Sequence, residues 1–253
     1  MDSRTERGLT LMELLVVISV LAILAALLLP ALSITKKKAR QTVCMNHLRQ
    51  INLGVRMYSD DASDRLPTPG AETTATNRTL LYSGYKELVK DYLGLKGASS
   101  QSRSIFTCPA DVFYPSFFQT NSAPAHNVRQ SLHQLPLLDF SSYVFNGGDN
   151  TIRRKGRDTW KVVGLNGHTF SSVNRPGRTI LVCEASATIP WSWHNPVLDK
   201  LQYGDAKNIV SFVDGHVAGI KIFWDGRRLS NGAFLFAFNY DPPAHYDYQW
   251  SAD

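Results

Sequence analysis

The sequence predicts an α+β fold in which one long N-terminal helix precedes an antiparallel sheet. Three observations point there. From Leu11 to Leu32 the chain is apolar or small apart from Glu13, Ser19 and Pro30. The stretch that follows, to about Asp60, carries no helix breaker except Gly54. Beyond it come short runs rich in β-branched and aromatic residues, bounded by Gly, Pro, Asn or Asp and not alternating with helices.

Taken in order, the helix is expected over residues 9–60, about 75 Å at 1.5 Å per residue. Its first half is apolar all round. About 20 such residues suffice to cross a hydrocarbon core, so residues 11–32 read as a transmembrane segment. Pro30 kinks or loosens the helix near the junction. In the second half, Cys44, Leu48, Ile51, Val55 and Tyr58 recur at helical spacing, while Arg40, Arg49, Gln50 and Arg56 lie off that stripe. The polar, Pro-containing segment from Asp60 to Pro69 ends the helix.

Residues 61–253 are ample for one globular domain with its own core. A short helix is expected over Leu80–Leu93, with Leu81, Tyr85, Leu88 and Tyr92 apolar, and an irregular loop over residues 112–139. Strands are expected at Thr159–Val163, Thr179–Cys183, Ile209–Val213, Val217–Phe223 and Ala233–Tyr240. Asp214-Gly215 lies between two of them as a tight-hairpin signal, and Asp225-Gly226 suggests another turn.

Glu13 is the residue that demands an explanation. An unpaired carboxylate inside an apolar span costs roughly 2.5–3.5 kcal/mol or more, so it marks function and needs a partner. The eight residues ahead, MDSRTERG, carry charges of both signs. A secretory signal would place a small-residue cleavage site after the apolar run. Here the small residue, Gly8, sits before it. An ordinary signal anchor, with Glu13 reaching the headgroups, is the plainer alternative.

Gly8-Leu9-Thr10-Leu11-Met12-Glu13 resembles the processing signal of type IV prepilins and type II secretion pseudopilins. Those precursors are cut after the glycine on the cytoplasmic face and keep the apolar helix. The resemblance implies a leader at residues 1–8, a new and methylated terminus at Leu9, and a helix whose first half packs in a filament core. Leu9 stands where phenylalanine is usual. Pro30 falls at the family's customary place, 22 residues after the cut. Glu13 would pair with the terminal amine of a neighbouring subunit, a contact costly to break once buried.

Implied partners are other pseudopilin subunits in a homo- or hetero-oligomeric filament, a prepilin peptidase and an inner-membrane secretion platform. The implied location is a single pass through a bacterial inner membrane with the C-terminal domain in the periplasm. Lys36 to Arg40 is more basic than the leader and by charge bias alone favours the opposite orientation; the processing motif is the more specific signal. A surface pilus subunit or adhesin, or a membrane-anchored ligand-binding protein, are the alternatives.

A second resemblance runs through the globular part. Cys44-Met45-Asn46-His47-Leu48-Arg49-Gln50-Ile51-Asn52-Leu53 is similar to the C-x-N-x-L-R-Q-I-x-L stretch of pseudopilin-like proteins named for an H-x9-D-G motif. Phe106-Thr107-Cys108-Pro109-Ala110-Asp111 matches their F-x-C-P-x-D block, and Ser142 to Gly147 their S-Y-x-x-N-G strand. Asp214, Gly215 and His216 match the D-G element, but Gly204 stands where the name-giving histidine belongs. The resemblance implies a Cys44–Cys108 disulfide, compatible with an extracytoplasmic domain; two buried free thiols are the alternative. Cys183, in an apolar strand, reads as a small core residue.

No catalytic motif stands out: there is no G-x-S-x-G, P-loop or G-x-G-x-x-G, so the expectation is a protein that is not an enzyme. The seven histidines, among them His126, His133, His194 and His245, show no zinc-ligand spacing, and no metal or cofactor is expected. Asp199, Asp205, Asp214 and Asp225 are the residues a calcium site would draw on, though no D-x-D-x-D-G loop is present. Trp191, Trp193, Trp224 and Trp250 read as aromatic core before they read as a binding surface. The net charge of +6 is modest, its juxtamembrane lysines suit anionic headgroups, and no nucleic-acid motif appears. Asn77-Arg78-Thr79 is a formal glycosylation sequon with little meaning in a bacterial chain.

Overall fold

A computed structural model of the chain describes residues 10–68, 84–97, 104–111, 131–134, 140–147, 150–153, 159–162, 164–188, 191–197, 203–226, 237 and 240–253. Two compact units emerge, residues 1–39 and 40–253. Helix α1 (Leu11–Asp61) supplies the described part of the first and opens the second.

In the first unit the helix runs on through Pro30. Its large apolar side chains lie in the open, from Leu11 at 84% exposure to Ile34 at 59%. A soluble surface does not present such a continuous apolar face. By length and composition this segment is apolar enough to cross a membrane.

In the second unit the apolar stripe becomes a core face. Cys44, Leu48, Ile51 and Val55 are fully buried, together with Asn52, Gly54 and Ser59. Gly54 sits where a Cβ would come within 2.8 Å of Leu93 Cδ2, so the absent side chain lets Leu93 close against the helix. Ser63 and Asp64 then take left-handed φ values of 58° and 67°. The Asp64 N–H donates to the Ser59 carbonyl at 2.8 Å, and the helix stops.

The short helix expected over Leu80–Leu93 is narrower than that. Helix α2 covers Tyr85–Val89 and passes at Lys90 into a 3₁₀ turn, Asp91–Leu93, closed by left-handed Gly94 (φ 70°). Residues 80–83 lie outside the described residues. Of the loop expected at 112–139, the described piece includes a 3₁₀ turn at Leu132–Gln134.

Six strands are described: β1 (Tyr143–Phe145), β2 (Asn150–Arg153), β3 (Thr159–Val162), β4 (Ile180–Glu184), β5 (Ala206–Phe212) and β6 (Val217–Ile222). One sheet has the order β1-β4-β5-β6, antiparallel throughout; β2 and β3 pair antiparallel in a second. Register places Val144 opposite Cys183, Cys183 opposite Val210, and Val210 opposite Ala218. Strand β5 begins three residues earlier than its apolar run. Strand β2 and the helical turn α3 (Ala185–Thr188) had no sequence signal. The strand expected at Ala233–Tyr240 lies mostly outside the described residues, and neither Ala237 nor Tyr240 is in a strand.

A long apolar N-terminal helix followed by a four-stranded antiparallel sheet is the α+β, pilin-like arrangement. The core of the second unit joins the α1 stripe to Tyr85, Phe106, Tyr143, Phe145, Phe212 and Trp250.

Candidate functional site

The helix start gives Glu13 a local role. Thr10 precedes the first helical residue, and its hydroxyl accepts the Glu13 N–H at 3.2 Å. In return the Glu13 carboxylate accepts the Thr10 N–H at 2.8 Å and its hydroxyl at 2.9 Å. This is a capping box, two orphan amides satisfied reciprocally. The letters T-L-M-E carried that signal alongside the processing motif. Gly8 and Leu9 lie outside the described residues.

Next, the motif residues of the globular part bond to one another. The His47 ring meets the Thr107 carbonyl at 3.1 Å, which assigns the proton to Nδ1. Asn52 Nδ2 donates to the Phe212 carbonyl at 2.7 Å, tying α1 to the end of β5. Buried Asp111 accepts from the Ser142 hydroxyl at 2.7 Å and from His133 N–H at 3.1 Å. Asn146 Nδ2 donates to the carbonyls of Ile180 and Trp250 at 2.8 and 2.7 Å. Each motif thus supplies the polar groups that let a neighbouring segment be buried without orphaned backbone.

His47 also makes the domain sensitive to acid. Burial holds its pKa below the usual imidazole value, opposed by the bond to Thr107. The unfolded chain therefore takes up a proton in a pH range where the folded chain does not. Stability from this source is complete above the unfolded value of about 6.5 and declines as pH falls through it. The denaturation midpoint is expected to drop between pH 7.5 and 5, and His47→Gln to flatten that slope.

The most concentrated chemistry lies beside Cys44, within α1. Cys44 and Cys108 form a disulfide with Cα atoms 5.3 Å apart. Against it, Cys108 Sγ is 3.5 Å from Glu184 Oε1 and 3.8 Å from His194 Nε2. Those two side chains meet at 2.7 Å, with imidazole as donor and carboxylate as acceptor. The second carboxylate oxygen accepts the Ile209 N–H at 2.9 Å. Glu184 is fully buried and His194 is 6% exposed. Sequence spacing does not show this set, since its members come from α1, the C-P turn, β4 and the loop after α3.

The Asp-Gly element joins β5 to β6, with Val213 to His216 as the connection rather than a two-residue turn. Asp214 Oδ1 accepts the His216 N–H at 3.0 Å and meets its ring at 2.7 Å, while Gly215 takes φ 100°. The His216 ring stacks on Phe212 at 4.1 Å. Asp214 and Gly215 border an open groove of about 630 Å³ beside Arg49, Asn52 and Arg56.

At Gly204 a Cβ would stand 2.8 Å from the Trp224 carbonyl oxygen, so this backbone does not accept the histidine of the motif. Gly204→His is expected to destabilise the domain by about 1–3 kcal/mol through overpacking, read as a lower urea midpoint.

Of the carboxylates a calcium site would use, Asp205 bonds Tyr246, Asp214 bonds His216 and Asp225 bonds Tyr240. Asp199 lies outside the described residues. Trp191, Trp193 and Trp250 are buried, and Trp224 is half-buried. Cys183 is buried and free, and burial pushes its thiol pKa well up.

Comparison with known proteins bears on the N-terminal region. The family described as the prokaryotic N-terminal methylation motif matches residues 3–29. Over 58 residues the chain is 43% identical to the type IV wide pilus major component PilA4 of Thermus thermophilus. That match covers 23% of this chain and 44% of the relative, so the chain spans less than half the length of the curated protein it resembles. No solved structure matches the chain. The chain carries a prepilin-type N-terminal motif and is similar to a type IV pilin over 23% of its length.

Proposed function

We propose that this chain is a structural subunit of a pilin-like filament, cut after Gly8 and methylated at Leu9. One observation carries the proposal: the methylation motif at residues 3–29 ends in an apolar helix with almost nothing packed on it and one acid, Glu13, at its head. Such a surface is stable only inside a bilayer or among like helices. In this account the chain works by assembly and catalyses no reaction.

More finely, the H-x9-D-G resemblance favours a periplasmic pseudopilus working with a type II secretion machine at the inner membrane, after processing by a prepilin peptidase. The relative's own name, a type IV pilus component, favours a longer surface pilus instead. Filament length in wild-type cells separates the two.

Mass spectrometry of the native N-terminus tests the proposal directly. The expected mature chain begins at methylated Leu9, Gly8→Val leaves an uncut precursor, and a chain that keeps Met1 in assembled material overturns the account. Because Glu13 also caps its helix, alanine there removes two functions at once. Glu13→Gln retains a side chain that caps but loses the charge. Both variants are expected to insert in the membrane and to assemble poorly; normal assembly of the glutamine variant would remove the charge-pairing argument.

A further inference from the structure

We propose that Cys44, Cys108, Glu184 and His194 form a zinc site when the Cys44–Cys108 pair is in its dithiol form. The donor set is the first reason. Two sulfurs, an imidazole and a carboxylate are ligands that hold Zn²⁺ in four-coordinate sites. All four ligand atoms lie within 4.8 Å of one another, and all four residues are buried.

Distances give the second reason. Zn–S near 2.3 Å with Zn–N and Zn–O near 2.0–2.1 Å sets tetrahedral sulfur-to-nitrogen and sulfur-to-oxygen edges at about 3.5 Å. Cys108 Sγ already stands 3.5 Å from Glu184 Oε1 and 3.8 Å from His194 Nε2. The imidazole-to-carboxylate edge, 2.7 Å as a hydrogen bond, has to open by about 0.6 Å to reach its tetrahedral value. The sulfurs have to part from bonding distance to about 3.8 Å.

A third reason is what the disulfide leaves unexplained. A disulfide needs neither an acid nor an imidazole beside it, and burying those polar groups is costly unless they are satisfied. The Ile209 N–H holds the outer carboxylate oxygen, so the inner oxygen faces the sulfurs. An outer hydrogen bond that fixes a ligand's orientation is a regular feature of metal sites.

The balance is simple. A dithiol or phosphine reductant delivers two electrons and, with two protons, converts the disulfide to two thiols. Zn²⁺ then displaces both thiol protons, and the Nε2 proton of His194 passes to Nδ1, so that the neutral ring takes the metal through Nε2. Metal and disulfide would join the same segments, so the site offers one tie in oxidising surroundings and another in reducing ones. The inference rests on the core of residues 40–253 and not on filament assembly, so either stands without the other.

The test uses the full chain in detergent, reduced with a phosphine under argon and dialysed against ZnSO₄. One zinc per chain is expected in the reduced protein and none in the oxidised one. Co²⁺ in its place should give the visible bands of a tetrahedral thiolate site. His194→Ala and Glu184→Gln are each expected to weaken zinc by about tenfold or more. A reduced chain that takes up no zinc overturns the proposal, as does unchanged affinity in both variants. Should the variants fail to fold, the reduced wild-type chain decides: zinc raises its thermal midpoint if the site forms, and an unmoved midpoint rejects it.

Discussion

Glu184→Ala is expected to remove about 3–5 kcal/mol of stability from the globular unit, the order of cost when a buried acceptor is deleted and two donors are left unsatisfied beside a cavity. The substitution leaves the His194 Nε2–H and the Ile209 N–H without their acceptor, both at buried residues. A cavity at the end of β4 adds to that. For a unit of this size the loss corresponds to roughly 6–20 °C in midpoint. Trp191 and Trp193, on the same loop as His194, report it by their emission. Glu184→Gln keeps the volume and one acceptor oxygen, so its cost is expected at about 1–3 kcal/mol. Equal losses for the two variants would mean that the cavity is small and the charge decides; negligible loss in both would mean the pair stabilises nothing.

What the sequence disclosed follows from where each signal lives. The apolar run, the Gly8 to Glu13 string and the Cys44-to-Tyr58 stripe are contiguous or periodic, and each sits in one element. They could be read without knowing any distant contact. The capping box was equally local, hidden only because T-L-M-E served a second meaning. Strand β5 was caught at Ile209 but not at Ala206. Its residues are buried on both faces except Lys207, and Asn208, polar by type, is made a core residue by Trp191 and Ser186. Period-two patterning is silent for such a strand.

The buried cluster was out of reach for a different reason. Glu184 looks like the polar end of an apolar strand and His194 like a loop histidine among tryptophans. Only the pairing of β4 with β5, and the return of the loop after α3, brings them to Cys108. The missing histidine of the D-G motif was visible as a letter. That Gly204 lies against the Trp224 carbonyl, and so excludes a side chain, was not.

Removing the disulfide, by Cys44→Ser with Cys108→Ser, is expected to cost about 4 kcal/mol on the chain-entropy estimate for its 64-residue separation. Urea denaturation of the double variant and of the wild type under matched conditions measures the difference. The loop it closes includes α2 and the residues between, so the unfolded chain gains freedom over a long segment when the bridge is gone. The single variant Cys108→Ser is expected to lose at least as much stability, because it strands Cys44 as a lone thiol in the same core. Exchange with the third cysteine is not expected to rescue either one. Cys183 is fully buried, and burial holds its thiol in the protonated, unreactive form. Alkylation of the folded wild-type chain should therefore leave Cys183 unmodified, with full labelling only in denaturant. Labelling of Cys183 in the native state would mean that β4 opens far more readily than a central strand should, and the stability assigned to the bridge would then have to be sought in that strand's motion.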